Sequence, residues 1–142
     1  MGKLDGKVAV VTGASSGIGL AVARRFVQEG SDVAVVARRG ERLETFASEV
    51  RQAGRRCVIV TGDVREEETA RQTVQATLDT LGKIDILVNN AGIGIYGNLV
   101  ETSADDFDAM MATNMRSTFL FTRHSVPSML ERGAGFIINV SS

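Results

Sequence analysis

Short apolar runs alternate with longer amphipathic segments along this chain, beginning at residue 8. The runs at residues 8–11, 33–37, 57–60, 84–88 and 136–140 are rich in valine and isoleucine. A continuous apolar run such as residues 8–11 is typical of a buried parallel strand, and the five runs together predict five strands of a parallel sheet.

The intervening segments carry apolar residues at the three- and four-residue spacing of an amphipathic helix. Ile18, Val22 and Phe26 predict one buried face on a first helix over residues 16–29, which Gly30 would end. The same spacing predicts a second and a third helix, whose apolar positions are Leu43, Phe46, Ala47 and Val50, then Ala70, Val74, Leu78 and Leu81.

A longer helical region is predicted over residues 103–132. Ser103 can cap its first turn, where Asp105 and Asp106 interact favourably with the helix dipole. Pro127 should kink or divide the region, because its ring removes one N–H group and clashes with the preceding turn.

Strands that alternate with helices predict an α/β fold, a Rossmann-type doubly wound parallel sheet with helices on both faces. Right-handed crossovers favour the strand order 3-2-1-4-5, with the topological switch point between strands 1 and 4. The turns at residues 13–19 and 89–92 follow those two strands, so we expect both to face one ligand crevice.

The turn after the first strand carries Gly13, Gly17 and Gly19 directly before a helix. Free backbone N–H groups and the positive end of the helix dipole favour a phosphate at such a place. The spacing is G-x-x-x-G-x-G instead of the general dinucleotide pattern G-x-G-x-x-G. A glycine turn alone does not specify a ligand, since many strand-to-helix turns use glycine only to make the bend.

The end of the second strand indicates which nucleotide would bind. An acidic residue there would contact the ribose 2′-hydroxyl of NAD(H), whereas arginine would pair with the 2′-phosphate of NADP(H). This chain has Arg38 and Arg39, so NADP(H) is predicted and NAD(H) is the second choice. The alternative is that both arginines are only solvated. Asp63, after the third strand, would either accept a hydrogen bond from adenine or turn the chain before Glu66.

The composition of the 142-residue chain excludes other classes of partner. The formal net charge is −1 with both signs interspersed, which is unlike a surface for nucleic acid or membrane. No apolar stretch is long enough for a signal peptide or a membrane span. The single cysteine, Cys57, lies in an apolar run, so we expect a buried thiol and a cytoplasmic protein. His124 has no partner at metal-ligand spacing, so no metal site is predicted.

Five pieces of sequence together resemble the classical branch of the short-chain dehydrogenase/reductase family. They are TGASSGIG at residues 12–19, DV at 63–64, NNAG at 89–92, Asn114, and IINVSS at 137–142. Their order matches the family along essentially the whole chain.

The resemblance implies an oxidoreductase that transfers a hydride between NADP(H) and a small carbonyl or alcohol substrate, and a homo-oligomer in its full-length form. It implies cofactor contacts for Gly13, Ser15, Ser16, Ile18, Gly19, Asp63, Val64, Asn90, Ala91 and Gly92. It also implies two catalytic residues. Asn114 would hold a water of the proton relay, and Ser142 would bind the substrate oxygen.

The sequence departs from the family pattern in its acid–base pair. The family uses a tyrosine followed four residues later by a lysine, whereas the only tyrosine here is Tyr96, with Val100 four residues on. Tyr96 is therefore expected to line a substrate cleft or to pack. We expect residues 1–142 to be the cofactor-binding part of a longer enzyme, one incomplete domain that has little turnover by itself. The alternatives are a non-catalytic NADP(H)-binding module or sensor, and a structural domain with an empty crevice.

Overall fold

A computed structural model of the chain describes residues 2–141. The strands are β1 Val8–Thr12, β2 Asp32–Ala37, β3 Cys57–Thr61, β4 Ile86–Asn89 and β5 Phe136–Asn139. The helices are α1 Gly17–Gln28, α2 Gly40–Gln52, α3 Glu67–Leu81, α4 Ala104–Met111 and α5 Ser117–Arg132, and a π-helical segment, Ala112–Arg116, joins α4 to α5.

The strands form one parallel sheet in the order β3-β2-β1-β4-β5, which confirms the predicted Rossmann-type topology. In register, Val10 pairs with Ala34 of β2 on one side and with Leu87 of β4 on the other. The central strand β1 is buried along its whole length, as its unbroken apolar run predicts.

The two faces of the sheet carry separate apolar cores, because successive side chains of a strand point to opposite sides. Val8 and Val10 face the core that α3 and α5 cover. Ala9 and Val11 face the core that α1 and α2 cover. Helices therefore pack on both faces of the sheet. The carboxyl ends of the strands are not covered by these helices, and the loops there can form a site.

The predicted buried face of α1 is wrong by one residue. The buried positions are Gly19, Ala23 and Val27, whereas Ile18 is 63% exposed. Small residues on this face let the helix approach the sheet closely directly after the glycine turn. Val22 and Phe26 lie beside that face and are only partly buried.

The prediction that Pro127 divides the long helical region is also wrong, and its alternative, a kink at Pro127, stays a prediction. Pro127 lies inside α5, which continues to Arg132. Buried residues on both sides of it, Phe121 and Met129, pack into the core shared with α3. This packing holds the helix together where Pro127 removes a backbone hydrogen bond. The helical region is interrupted earlier, at the π-helical segment between α4 and α5.

Strand β5 forms an edge of the sheet and exposes apolar side chains. Phe136 is 72% exposed and Ile138 is 45% exposed. Unpaired backbone groups beside apolar side chains favour pairing with another strand. We therefore expect the 142-residue chain to self-associate in light scattering, and an Ile138→Lys variant to do so less. A monodisperse monomer of the unsubstituted chain would contradict this expectation.

Candidate functional site

A crevice opens at the carboxyl ends of the parallel strands, above the point where β1 and β4 are neighbours. Its volume is about 540 Å³, which is typical of small-molecule and cofactor sites. The loops that follow β1, β2, β3 and β4 line it, together with Thr113 of the π-helical segment. Open α/β sheets bind ligands at this switch point, because the connections on either side diverge there.

The turn between β1 and α1 requires glycine at two positions. Gly13 has φ +66° and Gly17 has φ +58°, a backbone region that side chains rarely adopt. A Cβ atom on Gly13 would lie 2.9 Å from the Cα atom of Ala91. A Cβ atom on Gly17 would meet no atom of the described chain within 4 Å. The turn is therefore close to the β4 loop at Gly13 and open at Gly17.

The first turn of α1 offers donors without a side-chain acceptor. Ser16 occupies the N-cap position in an extended conformation, and its side chain makes no capping hydrogen bond within the described structure. Residues 17–20, the first turn, contain no acidic side chain. The N–H groups and the positive helix end can therefore serve an anion at the crevice, and these features fit the diphosphate of a dinucleotide.

Hydrogen bonds of Thr12 and Asn90 join the β1 turn to the β4 loop. The backbone N–H groups of Asn90 and Ala91 each donate to Thr12 Oγ1 over 3.0 Å. Asn90 Nδ2 donates to the carbonyl oxygen of Gly13 over 3.2 Å. These bonds hold the two halves of the crevice at a defined separation.

Asn114 lies in the π-helical segment and holds the next part of the β4 loop. Its Oδ1 accepts a hydrogen bond from Ile93 N, and its Nδ2 donates to Ile93 O, both over 2.8 Å. A π-helical turn changes the direction of the side chains around it and is frequent at functional sites. Here it places an amide side chain against backbone beside the crevice.

Four arginines line the other end of the crevice. Arg38 and Arg39 come from the β2–α2 connection, Arg42 from the first turn of α2, and Arg65 from the β3–α3 connection. Asp63 lies between the two groups and accepts hydrogen bonds from Arg38 Nη2 over 3.0 Å and from Arg65 Nη2 over 2.7 Å. The side-chain hydrogen bonds from Arg65 are the main reason that the pKa of Asp63 is lowered to about 2, and the nearby Arg38 charge lowers it further.

Comparison with known proteins identifies the family. A family model described as short chain dehydrogenase matches residues 7–142. The chain belongs to the short chain dehydrogenase family. This membership agrees with the parallel sheet order and with the crevice described above.

Relatives of this short chain dehydrogenase family member are oxidoreductases. An uncharacterized oxidoreductase of Thermotoga maritima is 42% identical over 138 residues, which are 97% of this chain and 54% of that protein. A metagenomic short-chain oxidoreductase solved in complex with NADP superposes with a TM-score of 0.91 at 37% identity, covering 98% of this chain and 63% of the other. An alcohol dehydrogenase of the archaeon Thermococcus sibiricus, complexed with 5-hydroxy-NADP, has a TM-score of 0.91 at 34% identity. The match covers 96% of this chain and 58% of that chain. The chain spans about half the length of the curated relatives it matches.

Most residues predicted to bind the cofactor of this family member line the crevice. They are Gly13, Ser15 and Ser16 after β1, Arg38 and Arg39 after β2, Val64 after β3, and Asn90, Ala91 and Gly92 after β4. Ile18 is exposed on the first turn of α1, and Gly19 is buried beneath the Gly13 turn. Contacts of all these residues with a cofactor stay predictions. Ser142 lies outside the described residues.

The structure also adds residues that sequence reasoning missed. Arg42, Arg65 and Thr113 line the crevice, and Thr12 joins the β1 turn to the β4 loop through hydrogen bonds. Arg65 directly follows the predicted Asp63-Val64 pair, which was the available signal. The interpretation of Asp63 as a turn residue is supported, since Asp63 Oδ1 accepts from Arg65 N over 2.9 Å and Asp63 O accepts from Glu66 N over 3.0 Å. Its contact with adenine stays a prediction.

The remaining candidate residues lie apart from the crevice lining. Tyr96 is 98% exposed, so the packing role predicted as one alternative is wrong within the described structure. Cys57 on β3 is only partly buried, whereas a buried thiol was expected, and this burial still raises the pKa of the thiol to about 11, which favours the protonated form at neutral pH. His124 Nε2 lies 3.1 Å from Glu67 Oε1. Among residues 2–141 there is no cluster of metal-binding side chains, and no helix there is long and apolar enough to cross a membrane.

Proposed function

We propose that this chain binds NADP(H) as the cofactor-binding part of an oxidoreductase acting on a small carbonyl or alcohol substrate. The observation that carries the proposal is the juxtaposition, in one crevice, of an uncapped helix N-terminus and the guanidinium groups at the end of β2. The first suits a diphosphate, and the second suits an additional phosphate on the adenosine ribose. The NADP and hydroxy-NADP found in two similar structures support the same choice.

Each part of the crevice would bind one part of the nucleotide. The turn at residues 13–19 would hold the diphosphate, and Arg38 and Arg39 would hold the 2′-phosphate. Val64 would flank the adenine, and Asn90 to Gly92 would line the ribose on the nicotinamide side. When bound, the nicotinamide ring supplies or accepts a hydride, and the protein orients it.

Two residues are proposed to take part in the reaction of the complete enzyme. Asn114, whose side chain is held by both backbone groups of Ile93, would support a water of the proton relay. Ser142 would donate a hydrogen bond to the substrate oxygen. A positioned donor of this kind stabilises the negative charge that develops on an alkoxide.

Substitution of Arg38 by aspartate tests the choice of cofactor. We expect Arg38→Asp to weaken NADPH binding by roughly tenfold to a hundredfold, because a charged hydrogen bond to phosphate is lost and a repulsive charge replaces it. NADH, which lacks the 2′-phosphate, should lose much less. Calorimetric titration of both nucleotides measures the two affinities. Arg55→Asp, which makes the same charge change before the amino end of β3, is the control and should alter neither affinity.

Equal losses for NADPH and NADH would contradict the role of Arg38. If the unsubstituted chain bound neither nucleotide, the whole proposal would be overturned. The second candidate function is a non-catalytic NADP(H)-binding module, which would use the same crevice without the Y-x-x-x-K pattern. The parent gene distinguishes the two, since the enzyme requires that pattern shortly downstream of the codon for Ser142.

A further inference from the structure

Asp63 presents a difficulty for a phosphate site at Arg38. Its carboxylate lies 3.0 Å from Arg38 Nη2, and its side chain is 24% exposed. With a pKa of about 2 it is an anion at neutral pH. An anion so close to Arg38 cancels much of the guanidinium charge and repels an incoming phosphate, so a pair of Arg38 and Asp63 alone would select poorly for NADP(H).

Arg65 supplies the missing positive charge. Its Nε donates to both oxygens of Asp63 over 3.0 Å, and its Nη2 donates to Oδ2 over 2.7 Å. This two-pronged contact matches the planar guanidinium to the carboxylate, whereas Arg38 touches Asp63 through Nη2. Arg65 therefore neutralises Asp63, and Arg38 keeps its net charge and its other N–H groups for a ligand.

The backbone around Arg65 keeps this arrangement in place. Arg65 N donates to Asp63 Oδ1 over 2.9 Å, which closes a tight turn. Arg116 of the π-helical segment donates from Nε to the carbonyl oxygen of Arg65 over 3.0 Å. Both backbone groups of Arg65 are thus hydrogen-bonded before a nucleotide enters, which limits the entropy lost on binding.

We propose that Arg65 is a residue that determines cofactor specificity: by neutralising Asp63, it leaves Arg38 free to select the nucleotide that carries a 2′-phosphate. This inference rests on the proposed function, since it concerns the same nucleotide crevice. It assigns to Arg65 an indirect role through Asp63 and Arg38, distinct from a direct contact with the phosphate. The two roles predict different outcomes when Asp63 is also neutralised.

The test compares Arg65→Gln with the double variant Asp63→Asn/Arg65→Gln in calorimetric titrations of the chain with NADPH and with NADH. In Arg65→Gln the uncompensated Asp63 charge should lower the ratio of NADPH to NADH affinity by about tenfold. In the double variant that charge is gone, so the ratio should return to within about twofold of the unsubstituted chain. Using the ratio removes any loss that both nucleotides share, such as an adenine contact of Asp63.

Arg71→Gln is the matched control. Arg71 is also an arginine paired with a carboxylate, that of Glu68, but the pair lies on the exposed surface of α3. This substitution should leave the affinity ratio unchanged. Retained NADH binding by each variant, together with an unchanged circular dichroism spectrum, shows that the crevice has folded.

Three results would overturn the inference. An unchanged ratio in Arg65→Gln would show that Arg65 has no part in specificity. A ratio that stays low in the double variant would show that Arg65 acts by its own contact with the ligand. If the unsubstituted chain binds no nucleotide, the proposed function and this inference fail together, whereas the first two results leave the proposed function intact.

Discussion

Alanine at position 19 is expected to destabilise the chain by about 3 kcal/mol and to abolish nucleotide binding. A Cβ atom on Gly19 would lie 2.2 Å from the carbonyl oxygen of Gly13 and 2.4 Å from Nδ2 of Asn90. Both atoms belong to the hydrogen bond that joins the β1 turn to the β4 loop. The methyl group would separate them, and because one neighbour is backbone, the turn itself must move.

The better helix propensity of alanine offsets only about 1 kcal/mol of this cost. Urea unfolding measures the loss of stability, and calorimetric titration with NADPH measures the loss of binding. Gly97→Ala is the matched control, because a Cβ atom there would meet no atom of residues 2–141 within 4 Å and the φ angle is not positive. A Gly19→Ala variant as stable as Gly97→Ala would show that the close approach at the turn has no energetic consequence.

Removal of the Asp85 carboxylate is expected to cost roughly 3 kcal/mol of stability. Asp85 is 6% exposed and lies immediately before β4, at the amino ends of the strands, whereas the crevice lies at their carboxyl ends. It accepts hydrogen bonds from Val8 N over 2.8 Å and from Arg132 Nη1 over 2.9 Å, and it lies 3.0 Å from Lys83 Nζ. Asp85→Ala would leave a buried N–H group without an acceptor and two cations without a partner.

The contribution of Asp85 should depend on pH. Burial by itself would raise the pKa of this carboxyl, but the hydrogen bonds from Val8, Lys83 and Arg132 outweigh burial and hold the pKa below the ordinary value of 3.8. The unfolded chain therefore binds a proton at higher pH than the folded chain does. The stabilisation is complete above the ordinary pKa and is lost as the pH falls through the lower pKa of the folded state.

Urea unfolding of Asp85→Ala and of the unsubstituted chain at neutral pH and at successively lower pH measures both effects. The difference in unfolding free energy should be largest at neutral pH and should shrink below pH 3.8. Glu68→Ala removes a carboxylate from an exposed ion pair and is the control, with an expected cost under about 1 kcal/mol. A cost for Asp85→Ala no larger than this control would contradict the assigned role of the buried carboxylate.

The strand order and the crevice follow from local patterns that the sequence displays directly. Buried parallel strands need unbroken apolar runs, and β1, which has such a run, is buried along its whole length at the centre of the sheet. Polar turns after β1 and β4 then meet at one edge, whatever the detailed packing. Arg38 could be placed for the same reason, because it directly follows a strand.

The buried face of α1 could not be read in the same way. Ile18, Val22 and Phe26 have the same spacing as Gly19, Ala23 and Val27, and hydrophobicity favours the first set. The second set is buried because the sheet lies so close after the glycine turn that small side chains fit best. Pro127 is a similar case, since packing of α5 against α3 and the sheet outweighs a local preference.

The α/β architecture and the two glycine- and asparagine-containing turns at the crevice can be predicted from local sequence patterns, and the strand order follows from the alternation of strands and helices with right-handed crossovers. How distant charges combine depends on the tertiary packing. Arg38, Asp63 and Arg65 meet across two connections, and Asp85 meets Val8 and Arg132 across the sheet. Such contacts depend on which side chains the packed helices and strands bring within hydrogen-bond distance, and neither periodicity nor spacing along the chain carries that information.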